Sequence, residues 1–402
     1  MRIQFGHYLK MIWSRKKKNF MTMLGIAIAF VVLFIVTSIV VYGISNYSKP
    51  LGFEYQGVDY LSFNWENQDL ERDKQTMLQI DKALSQYPEI ESFCHSHSYL
   101  FMPTATSIYS LDYEGRSIKT HIFYAGDKFA EVMKITLKKG RWFGPQDNAS
   151  SREPIIINSY FERKNFGEES GLGKILKKDD NEYIVIGIID KFRNNGKFTG
   201  DKMSVFRRIS LVSGAGLQSY LNGEFATRIL LRFKTGIPVE FEEKLVKDLT
   251  GIAKDWTISI KSMAEISKSA DLQNLILPII LVVVSVFMIV NVALGLFGVV
   301  WYNVGLRKAE IGLRRAMGSS KKSILLQILG EVFVLTTLSV LIASFFVLQF
   351  PLLNIISVYT SGIYLTTYLA SLIIIYLISG VCASYPSLRA ASIEPAQALH
   401  YE

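Results

Sequence analysis

Apolar and polar positions alternate along this chain on two scales. On the coarse scale, no charged side chain occurs from Asn19 through Ser48, and Phe20–Ile44 is apolar enough to cross a bilayer once as a helix. A second uncharged run extends from Leu272 to Leu306, with Leu275–Val300 as its apolar centre. A third begins after Glu331 and lasts until Arg389; at 57 residues it is too long for one span of about 20. It must fold back, and Gln349–Gly362, where Pro351, Asn354, Ser357, Thr360 and Gly362 cluster, is the predicted turn. The pattern predicts spans at 20–44, 275–300, 328–349 and 364–385. The basic flank Arg15 to Lys18 before the first span is like that of a signal peptide. Its apolar stretch of about 24 residues exceeds the usual hydrophobic region of such peptides, which predicts a retained anchor.

On the fine scale, residues 45–273 show short periods. Tyr60–Asn64, Tyr99–Met102, Ile118–Tyr124, Pro154–Asn158, Tyr183–Ile189 and Thr227–Phe233 are rich in β-branched or aromatic residues and bounded by turn formers, as strands are. Glu71–Gln86, Val239–Thr250 and the shorter Asn158–Phe166 follow helical spacing. Helices and strands intermingle without a strict βαβ repeat. The expected fold is therefore a membrane protein with four transmembrane α-helices and a large α+β extracytoplasmic domain inserted between helices 1 and 2. Its expected parts are an amphipathic cytoplasmic segment 1–19 (Phe5, Tyr8, Leu9, Ile12 and Trp13 at helical spacing), the domain 45–273, and a membrane region 274–402. That region includes a connection 307–322 and a tail 386–402.

Charge orients this layout. Six Lys and Arg precede the first span and six lie in the connection between the second and third, whereas the turn between the third and fourth has none. The positive-inside rule then places both termini and the 307–322 connection in the cytoplasm of a bacterial inner membrane, with 45–273 outside. Residues 44–273 hold 31 basic and 31 acidic side chains, so the net +9 of the chain belongs to the remaining segments. The basic balance is thus a topology signal, and no nucleic-acid partner is expected. Cys94 is expected outside and Cys382 in the last span, so they cannot pair within the chain.

Catalytic signatures are lacking. Gly171-Leu172-Gly173-Lys174-Ile175 has neither the leading glycine nor the Ser or Thr of a P-loop, and no G-x-S-x-G, H-E-x-x-H or C-x-x-C motif occurs. Cys94-His95-Ser96-His97 could hold a metal only with further ligands, and a polar strand face is the simpler reading. No cofactor or metal is expected on this chain. Asn291, with Gly295 and Gly298 near its face, suits helix association, either with a second copy or within the chain. In the 307–322 connection, Glu310, Arg314 and Arg315 flank apolar Ile311, Leu313, Ala316 and Met317 on one short helix, with Gly312 allowing close approach and Gly318 a stop. Such a helix can sit in a groove of a partner subunit; the alternative is a basic loop that only sets topology.

Two sets of motifs resemble a known family. Gly140-Arg141-Trp142-Phe143, Pro154-Ile155-Ile156-Ile157-Asn158, Gly171-Leu172-Gly173-Lys174 and Tyr183 to Arg193 follow the order of a MacB-type periplasmic core domain. Glu310-Ile311-Gly312-Leu313-Arg314-Arg315-Ala316-Met317-Gly318 and the ending Pro386 to Glu402 resemble an FtsX-like permease domain, with His400 where that family usually has Arg. The resemblance implies the permease subunit of a MacB/FtsX-like ABC transporter. ATP and Mg would sit on a separate cytoplasmic ABC ATPase, because only a short segment precedes the first span. It further implies a second permease copy or a paralogue, a periplasmic adaptor with an outer-membrane channel, and contact with membrane lipid. Residues 310–318 (Glu310, Ile311, Gly312, Arg314, Arg315, Ala316, Met317, Gly318) would be the ATPase-coupling segment. Work would pass by mechanotransmission: closure of the ATPase dimer moves the coupling helix, and the external domains rearrange. Export of a periplasmic substrate is the leading expectation; lipoprotein release, FtsX-like signalling and a ligand-binding receptor are the alternatives.

Overall fold

The computed structural model describes residues 16–65, 69–97, 100–101, 107–209, 228–234, 239–353 and 359–392. The expected amphipathic helix with Phe5 to Trp13 and the tail beyond Ser392 lie outside these. The chain forms two compact units, residues 46–274 and residues 1–45 with 275–402.

Among the described residues the first unit is built on eleven strands. Four of them, β1 (Val58–Asn64), β2 (Ile90–Ser96), β10 (Arg228–Phe233) and β11 (Thr257–Ser262), pair antiparallel in the order β11-β1-β10-β2. Helix α2 (Leu70–Leu84) joins β1 to β2, and α5 (Val239–Ile252) joins β10 to β11, giving a split βαββαβ arrangement. Strand period dictates the core. Leu61, Phe63, Ile229 and Leu231 point to one side, where Met77, Ile80 and Leu84 of α2 and Phe241, Leu245 and Leu249 of α5 cover them. Val58, Tyr60 and Leu230 point to the other, into an aromatic cluster of Phe53, Phe101, Phe123, Phe129, Phe192 and Phe206. Asp69 starts α2 by accepting a hydrogen bond from the Arg72 amide.

Between β2 and β10 the chain builds the rest of the sheet, which joins β2 at the Ser96–Ala125 pair. The strands β3 (Ser107–Tyr113), β4 (Arg116–Ala125), β6 (Glu153–Asn158), β7 (Ile175–Lys178), β8 (Asn181–Ile189) and β9 (Ser204–Arg208) pair in a ring. The order is β4-β3-β7-β8-β6-β9, and β9 returns parallel to β4. Its interior is Ile118, Ile122, Ile155, Ile157, Leu176, Val185, Ile188 and Val205. β5 (Leu137–Gly140) adds to β8, after the short helix α3 (Phe129–Val132). The Gly140-Arg141 turn is fixed sterically. Gly140 has φ +75°, and a Cβ there would stand 2.2 Å from the Ile186 carbonyl oxygen. A Cβ on Gly187 would meet the Arg141 carbonyl oxygen at 2.3 Å. Arg141 donates to Asp147 through both terminal nitrogens, one at 2.7 Å. Asn158 accepts from the Phe161 amide and so caps α4 (Ser159–Phe166).

Of the expected strand Tyr99–Met102, the two ends lie outside the described residues, and Leu100 and Phe101 lie in a turn rather than a strand, Phe101 at φ +63°. Their amides bond the Tyr60 hydroxyl and the Asn194 carbonyl, respectively, so they serve the aromatic core and no ladder.

One loop holds the first unit's ends. Arg193 is buried. It donates to the carbonyls of Asn46, Lys49 and Pro50 and to those of Lys197 and Thr199, at 2.6–3.4 Å. Asp271 accepts from the Lys197 amide, and the Asn274 amide group donates to the Asn195 carbonyl.

The second unit is helical. Among the described residues four helices are long and apolar enough to cross a membrane, within Phe20–Tyr47, Met263–Leu306, Lys321–Leu352 and Ser361–Ala391. They belong to α1 (Lys16–Tyr47), α6 (Met263–Leu306), α8 (Lys321–Val347, followed by the short α9, Gln349–Leu352) and α10 (Ser361–Ala391), with α7 (Lys308–Ala316) between α6 and α8. Each helix is longer than the apolar stretch read from its sequence. α6, at 44 residues, is about 66 Å long, roughly twice the hydrocarbon thickness. The reason is that polar ends such as Met263–Gln273 carry helix-compatible residues that a hydropathy reading discards. On α10 every fourth residue from Ile363 to Ala391 is buried, and most are small: Thr367, Ser371, Ser379, Ala383 and Ser387. They let α10 lie close to α8, where Ser379 accepts from the Thr336 hydroxyl at 3.1 Å, and the Tyr376 and Tyr368 hydroxyls bond Thr337 and Ser344.

Candidate functional site

The connection after α6 folds as α7, a loop and the start of α8. Glu310 in the first turn and Arg314 and Arg315 in the last complement the helix dipole. Gly318 ends the helix at φ +94°: its amide donates to the Arg315 carbonyl, and that of Ser319 to the Arg314 carbonyl. This is the Schellman pattern, for which glycine is the natural residue. Ser320 then caps α8 by accepting from the Ser323 amide at 3.2 Å.

Charged side chains close a ring beside α7. Arg307 donates to both Glu331 oxygens at 2.9 Å and to Glu310 at 3.1 Å. Arg314 meets Glu310 at 2.7 Å and the Gln327 amide oxygen at 2.7 Å. Gln327 donates to Glu331 at 3.4 Å, which completes the circuit. The Arg307 side chain is only 12% exposed and that of Glu331 18%, so this part of the ring is poorly screened. Two Arg against two Glu leave no net charge, and a small cavity of about 50 Å³ lies against the ring. Because Gln327 and Glu331 are on α8 and Arg307 follows α6, the ring ties α7 to both helices.

The sequence-predicted residues divide three ways. Glu310 and Arg314 belong to the ring. Ile311 and Gly312 are buried, Ile311 in the helical core with Ile324, Ile328, Ala390 and Ala391. Leu313 and Met317, one turn apart, are 53% and 72% exposed, with Ala316 exposed beside them. Arg315 bonds the Ser319 carbonyl at 3.3 Å, outside the ring. The apolar positions of this helix therefore do not form one face: Ile311 serves the core, whereas Leu313 and Met317 present an apolar edge to the surroundings. Sequence reasoning missed Arg307, Gln327 and Glu331 as partners. The available signal was position: Arg307 and Glu331 are the first charges beyond two uncharged runs, and Gln327 is one turn before Glu331.

On α6, Asn291 donates to the Phe287 carbonyl at 2.8 Å. Asn291, Gly295 and Gly298 are all exposed, and a Cβ on either glycine would meet nothing within 4 Å. Asn291 and Gly295 line a groove of about 430 Å³ together with Gly25 of α1. In the other unit, His95 is held by Asp81 at 2.9 Å, and the His97 ring packs edge-on to Tyr124. No cluster of three metal-ligating side chains occurs among the described residues.

Comparison with known proteins assigns both parts. Residues 19–247 match the family of MacB-like periplasmic core domains, and residues 282–395 match the FtsX-like permease C-terminal family. The macrolide export ATP-binding/permease protein MacB of Pasteurella multocida is 25% identical over 98% of this chain and 59% of its own length. That of Bdellovibrio bacteriovorus is 22% identical over 75% of this chain and 47% of its own length. The chain thus spans about half the length of these relatives. An uncharacterized ABC transporter permease of Bacillus subtilis, YvrN, is 22% identical over 97% of both chains. Among solved structures, the periplasmic region of MacB from Actinobacillus actinomycetemcomitans aligns with 54% of this chain and 94% of its own, at 16% identity and a TM-score of 0.37. With both matches in place along one chain, this protein belongs to the MacB/FtsX-type family of ABC transporter permeases.

Proposed function

We propose that this chain couples ATP hydrolysis on a separate cytoplasmic ABC ATPase to movement of its extracytoplasmic domain, and that the transporter exports a substrate from outside the inner membrane. Membership in a family of ABC transporter permeases supports an ABC ATPase as the partner. The observation that carries the reading is α7: an exposed Leu313–Met317 edge, flanked by Glu310 and Arg314, on a helix clamped to α6 and α8 by the ion-pair ring. Leu313 and Met317 would enter a groove of the ATPase, and the ring would make α7 move with its two neighbours rather than swing alone. The exposed Asn291, Gly295 and Gly298 face would meet a second permease copy or a paralogue. Export is what the names of the MacB relatives state, and an adaptor and an outer-membrane channel would complete such a system. Orientation follows the Lys and Arg distribution, with α7 cytoplasmic and residues 46–274 outside.

The test is purification of the tagged chain in mild detergent with identification of what accompanies it. An ABC ATPase is expected, and it should be lost in Glu310→Lys, Arg315→Glu and Met317→Asp while membrane insertion persists. Arg307→Ala should leave the ATPase bound but lower its stimulation. Unchanged association in all three binding variants would sink the assignment of α7. For topology, cysteine at Asn181 should react with an impermeant maleimide in spheroplasts and cysteine at Ser319 should not, each in a background lacking Cys94 and Cys382.

A further inference from the structure

One strand of the first unit ends the sheet. β11 pairs with β1 from Thr257, opposite Asn64, to Ser262, opposite Asp59, and among the described residues no strand pairs with its other side. The register fixes which of its backbone groups stay open. The Phe233 amide donates to the Gly57 carbonyl at 2.9 Å, so the odd-numbered residues of β1 bond β10 and the even-numbered ones bond β11. Thr257, Ser259 and Lys261, which face Asn64, Ser62 and Tyr60, therefore commit their backbone groups to β1. Ile258 and Ile260 turn their amides and carbonyls outward. Their side chains lie on the helix-covered face with Leu61 and Phe63, half-buried at the rim of that core. Edge strands are commonly blunted by proline, a bulge or a covering element. β11 contains no proline, and its register with β1 runs without a shift. Its one charge, Lys261, projects from the opposite face of the sheet, away from Ile258 and Ile260.

The same edge has an acidic end. Ser262 lies opposite Asp59, and Glu242 of α5 and Glu265 in the first turn of α6 are both close enough to raise the Asp59 carboxyl. Glu265 is exposed and Glu242 half-buried, and no ion pair holds either among the described residues. Along the face shared by Ile258, Ile260 and Ser262, an added strand would thus meet two apolar side chains and then two carboxylates. We propose that β11 takes an extended segment of another protein as a further antiparallel strand. That segment carries β-branched apolar residues at alternate positions against Ile260 and Ile258, and a Lys or Arg that reaches Glu242 and Glu265. Antiparallel pairing repeats that of β11 with β1 and is the more stable per residue. Main-chain hydrogen bonds to Ile258 and Ile260 supply the attachment, and the alternate side chains supply the selection. Because α6 follows Ser262 directly, the added strand would lengthen the sheet beside the start of that helix.

The experiment uses the full chain in mild detergent and a fluorescent peptide, Thr-Lys-Thr-Val-Thr-Val-Thr, blocked at both ends. Binding is read by fluorescence polarisation, and saturation below millimolar peptide is expected. The same peptide N-methylated at both valine amides, the ones that would face β11, should bind roughly 25-fold more weakly, about five-fold for each hydrogen bond lost. Glu242→Gln/Glu265→Gln should weaken the lysine peptide roughly five-fold and leave a peptide with norleucine in place of lysine unchanged. Ile260→Pro should abolish binding with the fold kept, because only an outward amide is removed, whereas Ser259→Pro removes an amide bonded to β1 and should lower the melting temperature. The glutamine variant keeps the test open should the proline variant misfold. No saturable binding, equal binding of the N-methylated peptide, or an unaltered affinity in the glutamine variant or in folded Ile260→Pro would overturn the site. If a second copy of this chain held the edge, the parent would not bind the peptide and Ile260→Pro would lower the assembled mass in light scattering. That result would overturn the proposal in favour of a self-pairing edge.

Discussion

The two units of this protein differ in what they expose: both have apolar cores, but only the helical one turns many large apolar groups outward. In residues 46–274 the large apolar groups go inward, and among the described residues only Tyr47, Leu78, Ile108 and Leu272 are large, apolar and exposed. In the helical unit many large apolar groups face out, as with Val283, Phe287 and Leu294 of α6 and Phe345 of α8, each more than 60% exposed. Beside an apolar core with Ile26, Phe30 and Ile375 it also buries small hydroxyls: Thr336, Ser339, Thr367, Ser371 and Ser379 have no exposure. The first pattern is the hydrophobic effect acting against water. The second fits a solvent as apolar as leucine, where close approach and hydroxyl hydrogen bonds hold helices together. One chain thus follows two packing rules, and substitutions should have opposite consequences in the two units.

The largest effect is expected where the first unit breaks its own rule. Arg193 is a buried cation that donates to the carbonyls of Asn46, Lys49, Lys197 and Thr199. Arg193→Met would leave at least four of them without their donor, at about 4 kcal/mol. Arg193→Lys should rescue little, because an ammonium cannot span carbonyls on both sides of the loop. Thermal unfolding of the detergent-purified chain checks both, and a methionine variant as stable as the parent would remove Arg193 from its role. Next comes Gly140→Ala, which combines a positive φ with a Cβ 2.2 Å from a carbonyl oxygen. About 3 kcal/mol is expected, read the same way.

In the helical unit the sign of a hydrophobic gain reverses. Ser371→Leu adds apolar volume to a fully buried α10 position and should destabilise by about 2 kcal/mol through overpacking. Ser379→Ala keeps the volume, loses the Thr336 hydroxyl bond, and should cost only about 0.6 kcal/mol. Resistance to SDS-induced unfolding in mixed micelles measures both; a stabilising Ser371→Leu would refute close α8–α10 packing.

How much of this was legible in the sequence follows from the same contrast. Strands with an unbroken apolar pattern, such as β6 and β8, could be read within a residue or two, because both of their faces are buried. Of β2 only the end at Cys94–His97 was legible as a polar strand face, since Glu91, Ser92 and His95 interrupt its alternation. β9 and β11 are short, and neither has turn formers at both ends. The split βαββαβ order was not legible either, because more than 130 residues separate β2 from β10. At the candidate site the residues of α7 were evident from local spacing. Their division between core, ring and exposed edge depends on Gln327 and Glu331, which only the fold of α8 brings alongside.

The smallest effect is conditional on pH. Asp59 of β1 is pushed up to about 6 from its ordinary value of 3.8 by burial, and then by Glu242 and Glu265, against the hydrogen bond from Ser262. Because the folded state holds this proton more tightly than the unfolded chain does, its contribution to stability is complete below pH 3.8 and is lost as pH rises through about 6. His121 acts in the opposite direction. Burial, with Lys202 nearby, lowers it from 6.5 to about 4. The unfolded chain then takes up the proton first, and stability falls as pH drops from 6.5 toward 4. Asp59→Asn should therefore raise the melting temperature at pH 7.5 and leave it unchanged at pH 3.5, whereas His121→Gln should be neutral at pH 7.5 and protective at pH 4.5. Melting curves of both variants across this range separate the two groups. An Asp59→Asn gain that persists undiminished at pH 3.5 would mean that the asparagine acts by packing and not by removing a buried charge.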